Sequence, residues 1–188
     1  MKRVLYFGAS SSKSSINQQL AEYTAKQLKG IEIKPLRLID YEMPIYSIDR
    51  EELEGIHPLA LDFKKEISLC DALVISFAEH NGTYSAAYKN VYDWISRIEK
   101  LAYQNKPLLL LATSPGKRGG SSVLEQALNF FKRVHSSPVL HFSLPSFYEN
   151  YSAEKGISEA FSLEYSAVIQ EFQTIINEKK ETDSSISF

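Results

Sequence analysis

The chain has 188 residues, and 21 Lys plus Arg against 23 Asp plus Glu give a formal net charge of −2. This size suits one domain with its own core. A composition of 44% apolar and 23% charged residues excludes a disordered or fibrous chain, and the near-balance of charge gives no footprint for nucleic acid or an anionic membrane surface. The single cysteine, Cys70, excludes an internal disulfide scaffold, and no stretch nears the ~20 apolar residues that span a bilayer, so a cytoplasmic protein is expected. Tyr (11) and Phe (10) are plentiful, which favours core and interface packing before ligand contact.

Residues 4–7 form a short apolar strand ended by Gly8 and a serine cluster. Ile16, Leu20, Tyr23, Ala25 and Leu28 then recur at helical spacing, and Gly30 stops the run. Residues 31–38 alternate and predict a second strand, with Pro35 arguing for the sheet edge. Residues 40–54 read as an irregular loop with a short turn, and Pro58 opens a helix to residue 69. Residues 71–77 and 108–112 are almost wholly apolar, as central parallel strands covered on both faces are. Between them Ala87, Val91, Trp94, Ile95 and Ile98 mark a helix. A helix over 122–133, a fifth strand over 138–142, a loop through Pro145 and Tyr151, and a long helix over 158–178 complete the chain; residues 181–188 are expected to fray. The alternation predicts a doubly wound α/β domain over residues 1–180, with five parallel strands and helices on both faces.

Ligands of such sheets bind beyond the carboxyl ends of the strands, near the switch in strand order. Three loops there look unlike plain connectors. Residues 8–17 run from strand through Ser10, Ser11, Ser12, Lys13, Ser14 and Ser15 into a helix, and free N–H groups with hydroxyls make an anion cradle. The loop lacks the Gly-Lys-Ser/Thr ending of a P-loop and the later glycines of a dinucleotide fingerprint, so a terminal phosphate monoester fits it better than a pyrophosphate. Residues 78–85 hold the turn signal Asn81-Gly82 beside Glu79 and His80. The polar Asn90 and Asp93 on the following helix favour internal hydrogen bonding over ligand contact. Residues 113–122 carry Gly116, Gly119 and Gly120, where backbone can approach a flat ring. No Gly-x-Ser-x-Gly elbow occurs, and His57, His80, His135 and His141 lack metal-ligand spacing, so neither a hydrolase nor a metal site is expected.

Together these segments resemble the NADPH-dependent FMN reductase family of flavodoxin-like quinone, chromate and azo-dye reductases. Ser10, Ser15 and Asn17 match its Gly-Ser-x-Arg-x-x-Ser-x-Asn pattern. Glu79, Asn81, Gly82, Lys89, Asn90, Asp93 and Trp94 match Pro-Glu-Tyr-Asn-Gly-Ser followed by Leu-Lys-Asn-x-x-Asp-Trp. Ser114, Gly116, Gly119 and Gly120 match Ser-x-Gly then Gly-Gly, and residues 38–46 resemble Leu-x-Asp-x-x-Leu-Pro-Leu-Tyr. The resemblance implies a three-layer α/β/α sandwich with strand order 2-1-3-4-5. It implies that Ser10, Ser12, Lys13, Ser15, Ile16 and Asn17 hold the FMN phosphate. Ala78, Glu79, His80, Asn81 and Gly82 would border the isoalloxazine from one loop, and Ser114, Pro115, Gly116, Gly119 and Gly120 from another. It implies hydride transfer from NADPH or NADH to the flavin and then to a quinone, free flavin, azo or metal-oxyanion acceptor, without a protein catalytic residue. It also implies a homodimer or homotetramer, with the helix of Tyr88 and Tyr92 and residues 43–46 near the interface. Two departures stand out. Ser12 replaces the family arginine, which predicts weaker FMN retention with Lys13 as a partial substitute. His80 replaces a tyrosine, placing a side chain of the kind that changes charge near neutral pH beside the ring. A flavodoxin-type electron carrier and a non-redox protein for phosphate-bearing ligands remain alternatives, the first disfavoured by a net charge of only −2.

Overall fold

The computed structural model describes residues 1–178; the expected fraying of residues 181–188 lies outside them. The elements follow in the order β1 (Arg3–Ala9), α1 (Ile16–Gln27), β2 (Glu32–Pro35), α2 (Ile48–Glu54), α3 (Pro58–Ser68), β3 (Ala72–Phe77), β4 (Glu79–His80), β5 (Thr83–Tyr84), α4 (Ala86–Ile98), β6 (Leu108–Thr113), α5 (Ser121–Val134), β7 (Val139–Leu144), α6 (Phe147–Asn150), β8 (Tyr151–Ser152), β9 (Gly156–Ile157) and α7 (Glu159–Glu178), with a 3-10 turn at Leu38–Tyr41. The main sheet is parallel, in the order β2-β1-β3-β6-β7, which is 2-1-3-4-5 when only its five strands are counted.

The apolar runs sit where their composition requires. β3 and β6 are buried at every position, since both sheet faces are covered. One face packs Leu5, Phe7, Leu73, Ile75, Leu108 and Leu110 against the buried sides of α3, α4 and α5. The other packs Val4, Tyr6, Val74, Leu109 and Leu111 against α1 and α7. Pro35 lies on the edge strand, where its missing N–H costs no ladder bond to a further strand. Serines at the helix starts do the capping: Ser15, Ser47 and Ser85 each accept from the backbone N–H three residues on.

Three expectations change. The second strand ends at Pro35 and not at residue 38; the N–H of Leu36 still bonds to Tyr6 O, and the chain then leaves the sheet. The supposed loop over 40–54 contains α2, which buries no residue and so shows no apolar periodicity. The segment after β7 holds α6 and the β8–β9 hairpin, whose Gly156 lies against the Tyr23 ring at φ +74°, where a Cβ would meet the phenol oxygen at 2.3 Å. Among the described residues, no helix is long and apolar enough to cross a membrane.

Candidate functional site

The site begins where β1 runs into α1. Gly8 lies so close to the helix that a Cβ would come within 2.4 Å of the Gln18 nitrogen. The chain therefore turns tightly, and the helix N-terminus opens at the carboxyl end of the sheet. Ser15 caps Gln18 N–H (3.1 Å), while the backbone N–H groups of Ser15, Ile16 and Asn17 find no acceptor among the described residues. Such orphan donors with the positive end of the helix dipole favour an anion.

A cavity of about 320 Å³ lies over this end. It is lined by Ser10, Ser12, Ser14, Ser15, Ile16 and Asn17 from the first loop, Ala78, Glu79 and His80 from the second, Thr113, Ser114 and Pro115 from the third, and Tyr148 from α6. Four segments separated by 33 to 61 residues in sequence thus converge on one rim. Lys13, Asn81, Gly82, Gly116, Gly119 and Gly120 do not line it.

Several of these side chains are occupied with the protein itself. Asn17 is 3% exposed. Its Oδ1 accepts from Ser76 Oγ (2.7 Å) and Thr113 N (3.2 Å), and its Nδ2 donates to Thr113 O (3.1 Å). One amide therefore joins α1 to the ends of β3 and β6. Glu79 accepts from Val123 N (3.1 Å) and pairs with Arg118 (3.3 Å). It caps α5, whose own N-cap residue is Gly120, without a side chain. Asn81 (φ 52°) and Gly82 (φ 78°) form the two-residue turn between β4 and β5, as two successive positive φ values in a tight hairpin require. His80 is exposed on that hairpin. Ser85 donates to Ala9 O (2.7 Å) and so ties α4 to the end of β1.

Close backbone approach explains the glycines of the third loop, but the approach is to protein. At Gly119 a Cβ would meet Ser143 Oγ at 2.6 Å and Pro145 N at 2.8 Å, and at Gly120 the Ala112 Cβ at 3.1 Å; both sit at positive φ. Gly116 is exposed, and its carbonyl accepts from Ser146 N–H (2.9 Å). Asn90 bonds Met43 O, Pro44 O and Tyr46 N, and Trp94 Nε1 donates to Pro44 O (2.8 Å). These residues of the middle motif hold the 43–46 segment. Asp93 pairs with exposed Lys89 on its own helix.

A second, larger depression of about 740 Å³ lies between α4 and α5. Tyr84, Tyr88, Tyr92 and Phe130 give it an aromatic lining, and Lys89, Asp93, Glu125 and Arg133 contribute both signs of charge. Burial pushes the Tyr92 phenol up to about 12 and raises Tyr84 and Tyr88 as well, so these three phenols stay neutral at physiological pH.

Tyr148 is the lining residue that loop motifs do not reveal. It follows the fifth strand of the sheet, at the same end as the other loops, and its position after that strand is the available signal.

The model of the NADPH-dependent FMN reductase family matches residues 2–149. The chain is 28% identical over 123 residues to an NADPH:quinone oxidoreductase of Arabidopsis thaliana, covering 64% of this chain and 58% of that protein. It is 30% identical over 80 residues to a quinone reductase of Escherichia coli K12, 43% of each chain. The matched region spans about half the length of these curated relatives. Among solved structures, FerB, a flavoenzyme NAD(P)H:(acceptor) oxidoreductase from Paracoccus denitrificans, superposes with a TM-score of 0.73 at 24% identity, over 94% of this chain and 98% of that one. An oxidoreductase from Corynebacterium diphtheriae gives 0.73 at 18% identity, over 95% and 98%. At these identities the structural likeness speaks for the fold.

Proposed function

The chain belongs to the NADPH-dependent FMN reductase family, and from that premise we propose that it is an FMN-dependent NAD(P)H oxidoreductase, built as one domain over residues 1–180 and acting on quinones or similar small acceptors. The observation that carries this reading is the convergence of the three motif loops on one cavity at the carboxyl end of the sheet.

The donor set there fits a phosphate monoester. The free N–H groups of Ser15, Ile16 and Asn17 and the hydroxyls of Ser10, Ser12 and Ser14 would hold the FMN phosphate, with exposed Lys13 beside them as a point charge. Asn17 acts one step back, by fixing the first loop against the third. The hairpin residues Ala78, Glu79, His80, Asn81 and Gly82, with the third-loop residues Ser114, Pro115, Gly116, Gly119 and Gly120, would flank the ring system. Within that group Glu79, Gly119 and Gly120 set loop shape through contacts to protein, as their hydrogen bonds and packing show. When bound, FMN would supply the redox chemistry that links NAD(P)H to the acceptor. This chain's part is to bind, orient and polarise. Loop N–H donors stabilise negative charge where it develops, and no side-chain nucleophile or base is required. Steady-state rates with FMN-loaded protein, NADPH and a quinone test the proposal: parallel double-reciprocal lines are expected, and absence of turnover with both NADPH and NADH refutes it.

The chain functions as a homo-oligomer in this reading, with a second copy seated on the α4–α5 depression. An aromatic patch bearing both signs of charge is self-complementary about a two-fold axis. Tyr84 belongs to both the β4–β5 hairpin and this depression, so the second copy would lie beside the cofactor loops. A cytoplasmic location accords with the composition.

A further inference from the structure

Phe147 and Tyr148 are adjacent aromatic residues with opposite fates. Phe147 is 3% exposed and packs on Tyr151 with ring centroids 4.9 Å apart. Tyr148 is 72% exposed, and among the described residues its one ring contact is with Phe147. Its hydroxyl has no hydrogen-bond partner among the described residues. A tyrosine so little engaged in the fold contributes little to stability.

Its backbone, in contrast, is firmly placed. Ser146 starts α6 at φ +46°, a strained value for a residue with a Cβ. Ser146 N–H donates to Gly116 O (2.9 Å) and Phe147 N–H to Ser114 O (3.0 Å), which lashes the turn to the third loop. Asn150 Nδ2 donates to Pro145 O (3.0 Å) and closes the turn on itself. These bonds hold Tyr148 at the wall of the 320 Å³ cavity, on the side supplied by neither the first loop nor the hairpin.

The cavity is rich in hydroxyls, yet not all of them have a proton to give. Thr113 Oγ1 donates to Leu144 O and Ser114 Oγ to Gly116 O, so those two are spent. The remaining serines, at positions 10, 12, 14 and 15, all come from the first loop. Among the described residues no Lys or Arg lines the cavity, and Ser12 stands at the position of the arginine in the family pattern. A phosphate presents three strong acceptor oxygens, so a donor from a second element adds to those of the first loop. Two uncommitted side-chain donors come from other elements, the His80 imidazole on the hairpin assigned to the ring system and the Tyr148 phenol on α6 beyond the fifth strand; a phenol is more acidic than a serine hydroxyl, hence the stronger donor.

Resting on the FMN-reductase reading, we propose that Tyr148 is a cofactor-binding residue of this chain: its hydroxyl donates a hydrogen bond to the FMN phosphate from the fifth-strand side of the cavity. The residue thereby does part of the work of a phosphate-binding cation, and it favours phosphorylated over unphosphorylated flavin.

The test compares FMN with riboflavin, which lacks only the phosphate. Apoprotein is titrated with each, followed by flavin fluorescence, for the unsubstituted chain and Tyr148→Phe. Phenylalanine keeps the ring and its contact with Phe147, so folding is not at stake. The expected result is an FMN dissociation constant raised about tenfold in Tyr148→Phe, as for loss of a hydrogen bond to a charged group, with riboflavin affinity unchanged. Unaltered FMN affinity overturns the proposal. An equal loss for FMN and riboflavin also overturns it, since the ring and not the phosphate would then be the target. An unsubstituted chain that binds neither flavin overturns the FMN reading itself, and this assignment with it.

Discussion

Replacing Asn17 by alanine separates two roles that a motif alone does not distinguish, a direct cofactor contact and a clamp between loops. The side chain makes three hydrogen bonds, to Ser76 Oγ, Thr113 N and Thr113 O. The three residues are almost fully buried: 3% exposed at Asn17, 0% at Ser76 and 1% at Thr113. At about 1 kcal/mol net per bond, Asn17→Ala costs about 3 kcal/mol, and more where the Thr113 N–H stays dry and unpaired. For a chain of this size that corresponds to a fall of roughly 6–12 °C in thermal midpoint. The assay is thermal unfolding of apoprotein by circular dichroism, paired with an FMN titration at a temperature where the variant is folded. A clamp predicts a large loss of stability and a moderate loss of affinity, because the first and third loops no longer hold register. A midpoint within about 2 °C of the unsubstituted chain, together with a collapse of FMN affinity, would refute the clamp and make the amide a ligand contact.

Other outcomes follow from the same geometry. Ser12→Arg introduces a bidentate donor at an exposed position of the cavity rim and should slow FMN dissociation by about tenfold or more; stopped-flow dilution measures it, and an unchanged or faster rate contradicts the account. Gln126→Glu with Asn129→Glu crowds like charge into the α4–α5 depression at exposed positions. The pair should shift sedimentation toward the single chain while far-UV dichroism stays unchanged, and an unaltered sedimentation coefficient contradicts the proposed interface. Burial lowers the His135 imidazole from its usual range, against an opposing hydrogen bond with the Lys106 backbone. The unfolded chain therefore takes up this proton first as pH falls. Stability should be fully present above the ordinary histidine value and decline as pH falls below it, through the lowered folded-state value. His135→Gln should flatten part of that decline, the rest residing in His141, which burial lowers in the same sense; an unchanged slope refutes the assignment.

Much of the fold is legible because the sheet is covered on both faces. Runs such as residues 72–77 and 108–113 have no solvent side, and their composition announces it. Helix α2 is invisible to the same reasoning, since it buries nothing and rests on the Ser47 cap and the acidic first turn of Asp49 and Glu51. The candidate site is legible as loops but not as roles. Asn17 and Glu79 stand out in sequence through the family pattern, and Asn90 as a polar residue on a helix that buries one face. A chain read in one dimension does not tell whether such a group faces a ligand or a partner 30–100 residues away. Their bonds to Thr113, Val123 and Met43 become visible only in three dimensions. Tyr148 escapes for the opposite reason. Nothing around it in sequence is unusual, and its place on the cavity comes from backbone bonds between α6 and the third loop.

The proposed function requires this cavity to hold FMN for exchange of electrons with a nicotinamide nucleotide. The most direct measurement is anaerobic mixing of FMN-loaded protein with an equimolar amount of NADPH, then separately NADH, while the visible flavin band is followed. Rapid, near-complete bleaching is expected with at least one of them, with recovery of the band on adding a quinone. FMN-loaded protein that neither nucleotide bleaches would contradict it.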